Sequence, residues 1–226
     1  MIILAVYVDN IVIAGSDSED IELLKSYLNK HFHMKDLGLL LYFLGIEVAR
    51  FKEGVCLSQR KYVLDLLDEI GLKGSKPVDT PMDSNVKFSK TEGEDFKDAE
   101  RYRRLVGKLI YLTVTRPDII FSVGVVNQFM QNPKLSHWEA VCRILRYLKG
   151  SPGKGLVLKP TNNLDIIGYS DANWAGDNLD RRSVSGFYVF VGGNLVSWKS
   201  KKQSVVARSS AEAEYRAMAH TTCELL

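Results

Sequence analysis

The chain has 226 residues, 46% of them hydrophobic and 25% charged, with 30 Lys and Arg against 27 Asp and Glu for a net charge of +3. This composition supports one or two packed domains and excludes disordered, collagen-like and low-complexity chains. Three widely spaced cysteines, Cys56, Cys142 and Cys223, form neither a disulfide framework nor a zinc pattern, and the apolar opening over 1–8 stops at Asp9 without a basic leader. A soluble, intracellular chain with no signal peptide or transmembrane segment is therefore expected.

Two apolar runs, 4–8 and 11–14, flank Asp9-Asn10, the pattern of a tight hairpin with an acid at its tip. Ser16 and Glu19 have capping-box spacing, and Ile21, Leu24, Leu28 and Phe32 form one apolar stripe, which predicts a helix over 17–31. A strand over 39–50 turns near Glu53-Gly54 into a short strand at 55–57, and Ser58 opens a helix that Gly71 ends. Residues 73–97 hold Pro77, Pro81, Gly74 and Gly93 with little periodicity and read as a linker. Helices are predicted over 98–113, over 118–130 after Pro117, and over 136–149, the last with Ser136 and Glu139 as a capping box.

The breaker cluster 151–155 changes the pattern to strands at 156–158, 164–170, 185–191 and 195–198, with Gly192-Gly193-Asn194 as a hairpin turn. A helix opens at Ser209 and is still running at Leu226, which argues for a separate mixed α/β domain.

Charge is uneven along this plan. Residues 1–100 carry 12 basic and 18 acidic side chains, residues 101–154 carry 10 and 2, and residues 155–226 carry 8 and 7. The central basic block, with Arg101, Arg103, Arg104, Lys108, Arg116, Lys134, Arg143, Arg146, Lys149 and Lys154, suits a polyanion, and equally suits the solvated faces of amphipathic helices.

Ordered motifs then carry a resemblance. Tyr7-Val8-Asp9-Asn10, Asp36-Leu37-Gly38, Tyr42-Phe43-Leu44-Gly45-Ile46-Glu47 and Leu57-Ser58-Gln59 are followed by Leu105-Val106-Gly107-Lys108-Leu109, Thr115-Arg116-Pro117-Asp118 and Leu145-Arg146-Tyr147-Leu148-Lys149-Gly150. The last group is Tyr169-Ser170-Asp171-Ala172-Asn173-Trp174, Arg181-Arg182-Ser183 and Ser209-Ser210-Ala211-Glu212-Ala213-Glu214-Tyr215. In order and spacing these resemble the Pol polyprotein of copia-type LTR retrotransposons, from the last part of the reverse transcriptase into the first part of the ribonuclease H.

The resemblance implies an α+β chain cut at both ends. Residues 1–72 match the end of the polymerase palm, with its hairpin, and the start of the thumb; 73–97 form the linker and 98–150 the basic helical thumb or connection. Residues 151–226 match a truncated RNase H-like mixed sheet with one helix. It also implies catalysis by Mg2+ or Mn2+ on carboxylates, at Asp9 for the polymerase and at Asp171 and Glu214 for the nuclease. Asn10 stands where the family's hairpin has a second Asp, so no polymerase activity is expected.

Helical phase does not separate Glu212 from Glu214. The capping spacing of Ser209 with Glu212 gives Glu212 a structural role and leaves Glu214 for metal. Nucleic acid, as RNA–DNA hybrid or duplex, is the implied partner. Gly45 falls at a primer-grip-like hairpin, Arg104, Gly107, Lys108 and Tyr111 on a thumb-like helix, and Arg143, Arg146 and Lys149 on the last basic helix. Lys199, Lys201, Lys202 and Arg208 around Trp198 resemble a hybrid-binding handle.

Overall fold

A computed structural model describes every residue except Ser84, Asn85, Lys87, Asn178 and Leu179. The linker reading at 84, 85 and 87 therefore lies outside the described residues. Two compact units emerge, Met1–Leu44 and Gly45–Leu226.

In the first unit, β1 (Ile2–Tyr7) pairs antiparallel with β2 (Asn10–Gly15). The register opposes Leu4 to Ile13 and Val6 to Ile11, apolar pairs on one face, and closes at Tyr7 opposite Asn10. The two loop residues are consequently Val8 and Asp9 rather than the expected Asp9 and Asn10. Val8 takes φ 49, a left-handed conformation that a β-branched residue rarely adopts.

Helix α1 (Ser18–His31) starts one residue later than its predicted capping box. Asp17, not Ser16, caps it, with Oδ1 accepting the Glu19 N–H at 2.9 Å. The strand expected over 39–50 is broken: β3 (Tyr42–Phe43) ends before Leu44 and Gly45, which take φ 50 and 80 in succession.

The second unit begins with β4 (Ile46–Phe51), which pairs antiparallel with β5 (Gly54–Ser58). Strand β5 also pairs with β6 (Leu156–Leu158), about a hundred residues along the chain. The chain enters β6 so closely that a Cβ on Gly155 would lie 2.0 Å from the Leu57 carbonyl oxygen.

Between these strands runs a helical bundle of α2 (Arg60–Glu69), α3 (Ala99–Leu112), a 3-10 turn (Pro117–Ile119), α4 (Ile120–Asn127) and α5 (Leu135–Gly150). The apolar faces of these helices meet in its core, where Leu66, Tyr102, Leu109, Ile144 and Leu148 are buried. Each such aliphatic side chain contributes about 1.5–3 kcal/mol by leaving water. Helix α5 does not begin on the expected Ser136–Glu139 box. Backbone bonds from Leu135 N–H to Glu94 O (2.8 Å) and from Phe96 N–H to Pro133 O (2.9 Å) clamp the preceding segment, and His137 Nδ1 accepts the Lys134 N–H at 2.9 Å.

Strands β7 (Ile166–Asn173), β8 (Val184–Val191) and β9 (Asn194–Lys202) form an antiparallel meander, and α6 (Ser210–Leu225) covers one face of it. Ala172, Ala207, Ala213 and Ala217 make the small seam between sheet and helix. On the other face α4 lies against β9, and Trp198 Nε1–H donates to the Thr113 carbonyl at 2.9 Å. Bundle and sheet thus belong to one compact unit.

Candidate functional site

Asp9 sits at the exposed tip of the β1–β2 hairpin beside Asn10, the first residue of β2. A carboxylate there brings one full charge, and the neighbouring amide adds only a neutral carbonyl oxygen.

Asp171 lies near the end of β7, opposite Gly186 of β8. Its neighbour Ala172 is buried in the seam with α6, so alternation turns Asp171 to the opposite face of the sheet. There it lines a groove of about 330 Å³ together with Ile120 and Phe121 of α4 and Tyr169 and Tyr188 of the sheet. Glu214 follows Ala213 of the same seam and is half-buried on α6.

Glu212 has its partners already. Its N–H is capped by Ser209 Oγ at 3.1 Å, its Oε2 accepts the Arg208 N–H at 2.8 Å, and its Oε1 accepts from Arg216 Nη2 at 2.8 Å. The hydrogen bond from the Arg208 backbone and that from Arg216 hold the Glu212 carboxyl below its ordinary range.

The basic residues divide by what they touch. Arg104 Nε donates to Glu69 Oε1 at 3.2 Å, and Lys108 Nζ to Glu69 Oε2. The Lys108 hydrogen bond, followed by its charge and the Arg104 contacts, depresses the Glu69 carboxyl despite some opposing burial. Gly107 is on the exposed side of α3, and the Tyr111 ring meets Tyr62 edge-on at 5.5 Å.

On α5 the acceptors are neutral. Arg143 Nη2 donates to Thr80 Oγ1 and Arg146 Nε to the Lys76 carbonyl, both at 2.9 Å, and Lys149 Nζ donates to the Ser75 carbonyl. Spacing of i, i+3, i+6 puts all three on one helix face. They fasten the 75–80 segment, yet no carboxylate cancels their charge in these contacts.

Arg116 is the opposite case. It is 1% exposed and forks onto Asp118, with Nε to Oδ1 and Nη2 to Oδ2 both at 2.9 Å, while Nη1 donates to the Ser151 carbonyl at 2.9 Å. Tyr147 Oη donates to Asp118 Oδ2 at 2.7 Å. Burial alone would raise the Asp118 carboxyl, but the bonds from Arg116 and Tyr147 outweigh it and bring it down to about 2.

A divalent cation such as Mg2+ takes about six oxygen ligands, commonly one or two carboxylates with water and substrate oxygens for the rest. Asp9 belongs to the Met1–Leu44 unit, Asp171 and Glu214 to the other, and among the described residues no three Asp, Glu, His or Cys side chains converge as a metal-holding group. The described residues do not compose a two-cation centre by themselves.

The sequence reading missed the aromatic lining of the groove, because Phe121, Tyr169 and Tyr188 are far apart in the chain. The one local signal was the alternation that puts Tyr169 and Asp171 on the same strand face. It also missed Glu69, which anchors two of the expected nucleic-acid contacts from 35 and 39 residues away.

Residues 1–84 match the family model of reverse transcriptase (RNA-dependent DNA polymerase). Over its full length the chain is 45% identical to the retrovirus-related Pol polyprotein from transposon RE2 of Arabidopsis thaliana, of which it spans 16%. It is 40% identical, across 98% of its length, to an uncharacterized mitochondrial protein of Arabidopsis thaliana, of which it spans 92%. A putative transposon Ty5-1 protein of Saccharomyces cerevisiae is 30% identical over 99% of the chain, which spans 74% of that protein. No solved structure matches. No helix among the described residues is long and apolar enough to cross a membrane.

Proposed function

The chain belongs to the copia-type retrovirus-related Pol polyproteins and carries reverse transcriptase sequence, and from that premise we propose that it is a nucleic-acid-binding Pol segment without catalytic activity of its own. In this reading residues 1–72 are the palm end and thumb start, 73–97 the linker, 98–150 the thumb or connection helices, and 151–226 part of an RNase H-like domain.

The observation that carries the binding half is the α5 stripe. Arg143, Arg146 and Lys149 hold neutral oxygens, so three positive charges on one helix face stay available to a phosphate backbone. Arg104 and Lys108 share a single carboxylate, leaving a further net charge on α3 near Gly107 and Tyr111. Loss of polymerase chemistry is supported by Asn10, which takes an acid away from the hairpin that Asp9 alone now serves.

A second reading has one observation in its favour. The Glu212 carboxylate is engaged by Arg208 and Arg216, which leaves Glu214 as the acid of α6 for an RNase H-type nuclease, while Asp171 is turned to the far face of the sheet.

The two readings separate in one set of assays. The purified chain is offered a labelled primer–template and an RNA–DNA hybrid in Mg2+ or Mn2+. Binding without extension or cleavage is expected, weakening steeply with salt as counterion release requires. Extension that is lost on Asp9→Ala, or hybrid cleavage that is lost on Asp171→Ala, would overturn the non-catalytic reading.

A further inference from the structure

The groove beside Asp171 has a lining that the basic helices do not share. Tyr169 and Tyr188 are directly opposed across β7 and β8, hence side by side on one face, and are 61% and 41% exposed. Phe121, 46% exposed, faces the same space from α4. Gly186 opposite Asp171 contributes no side chain, which keeps the floor open beside the acid. The hollow continues into a second one of about 250 Å³ that shares Phe121, Val184 and Ser200 with it. In that continuation Gln128 Oε1 is buried with no hydrogen-bond partner among the described residues. Lys199 and Lys201 border the two hollows through the β9 backbone; their pairing with Phe187 and Ser185 turns their side chains to the α6 face.

Each feature narrows the occupant. Exposed rings on one open face stack against other flat rings. Gln128 Oε1 and the Asp171 carboxylate both accept, so the ligand's polar edge must donate. A nucleobase has both properties, a flat ring and donors on its edge, whereas a polypeptide offers flat rings only sporadically. The base must also be unpaired, because in a duplex its faces are stacked and its donors already bonded.

We propose that the groove between α4 and the β7–β9 face is a stacking site for unpaired nucleotides, with Phe121, Tyr169 and Tyr188 as the platform. This rests on the nucleic-acid reading above and adds to it a strand preference and a location separate from the α5 stripe.

The test uses the full chain and fluorescence anisotropy with a labelled RNA of roughly 15 nucleotides, single-stranded or annealed to complementary DNA. The single strand is expected to bind more tightly than the hybrid. Phe121→Ala and Tyr169→Ala should each weaken it about 10-fold, Tyr169→Phe should retain it, and Tyr215→Ala, 71% exposed on α6, should leave it unchanged. A photo-cross-link from thio-substituted RNA to wild-type protein should map to the Phe121, Tyr169 or Tyr188 peptides and needs no variant. Binding indifferent to Phe121→Ala and Tyr169→Ala, tighter binding of the hybrid, or cross-links confined to other peptides would overturn the stacking site and leave the nucleic-acid reading standing. Failure of every oligonucleotide to bind at low salt would overturn both.

Discussion

Replacing Asp118 by Asn tests the account of the Arg116 site most directly. The substitution keeps the shape and removes the charge opposite a guanidinium that is 1% exposed and forked onto both carboxylate oxygens at 2.9 Å. A shift of the Asp118 carboxyl from 3.8 to about 2 corresponds to about 2 kcal/mol of folded-state preference for the charged form. Stranding the buried cation raises the total, so a loss of about 3–5 kcal/mol is expected. For a chain of this size that lowers the melting temperature by roughly 6–20 °C. The assay is urea unfolding followed by circular dichroism, for Asp118→Asn, Arg116→Met and the double variant. The double variant should cost clearly less than the two single losses added together, because neither partner is then left unpaired. Additive losses, or an Asp118→Asn variant within about 0.5 kcal/mol of wild type, would refute the reasoning.

Two other outcomes follow from local geometry. His137 is fully buried, its ring stacked 3.7 Å from that of Phe129, and desolvation lowers its pKa from 6.5 to about 4. The unfolded chain therefore binds the extra proton between those values, and stability should fall by about 3 kcal/mol as pH drops from 6.5 to 4; His137→Gln should flatten that part of the denaturation–pH profile. Glycine substitutions should act in opposite directions. Gly155→Ala drives a methyl to 2.0 Å from the Leu57 oxygen and should cost about 1–3 kcal/mol, while Gly107→Ala, in open space on α3, should stabilise by about 0.5–1 kcal/mol in thermal melts.

Patterns that repeat within a few residues were legible from sequence. Helices α2, α3 and α5 and the strands of the β7–β9 meander formed close to where caps, breakers and alternation put them, because those signals are local to each element. What was not legible depended on distant partners. The start of α5 is set by backbone bonds to Glu94 and Phe96 rather than by its own capping box. The hairpin loop moved by one residue because cross-strand pairs, not turn propensity alone, fix the register. Among the site residues, the competition between Glu212 and Glu214 was read correctly as far as capping went, since Ser209 and Glu212 are local to one turn. The engagement of Arg104, Lys108, Arg143, Arg146 and Lys149 was invisible, since their acceptors lie 35 to 74 residues away.

The distribution of burial has a consequence for how the chain opens. Among the described residues, every fully buried side chain lies in Gly45–Leu226, and Met1–Leu44 has none. A segment whose strands and helix enclose no core has little to unlock before its amides reach solvent. Hydrogen exchange should therefore run through the β1–β2 hairpin and α1 at near-intrinsic rates while the bundle amides around Tyr102 and Ile144 wait for global unfolding. Limited proteolysis should trim the chain from its amino-terminal side and leave a resistant carboxy-terminal piece, so the hairpin that carries Asp9 is the part of the molecule with the shortest lifetime in a closed form.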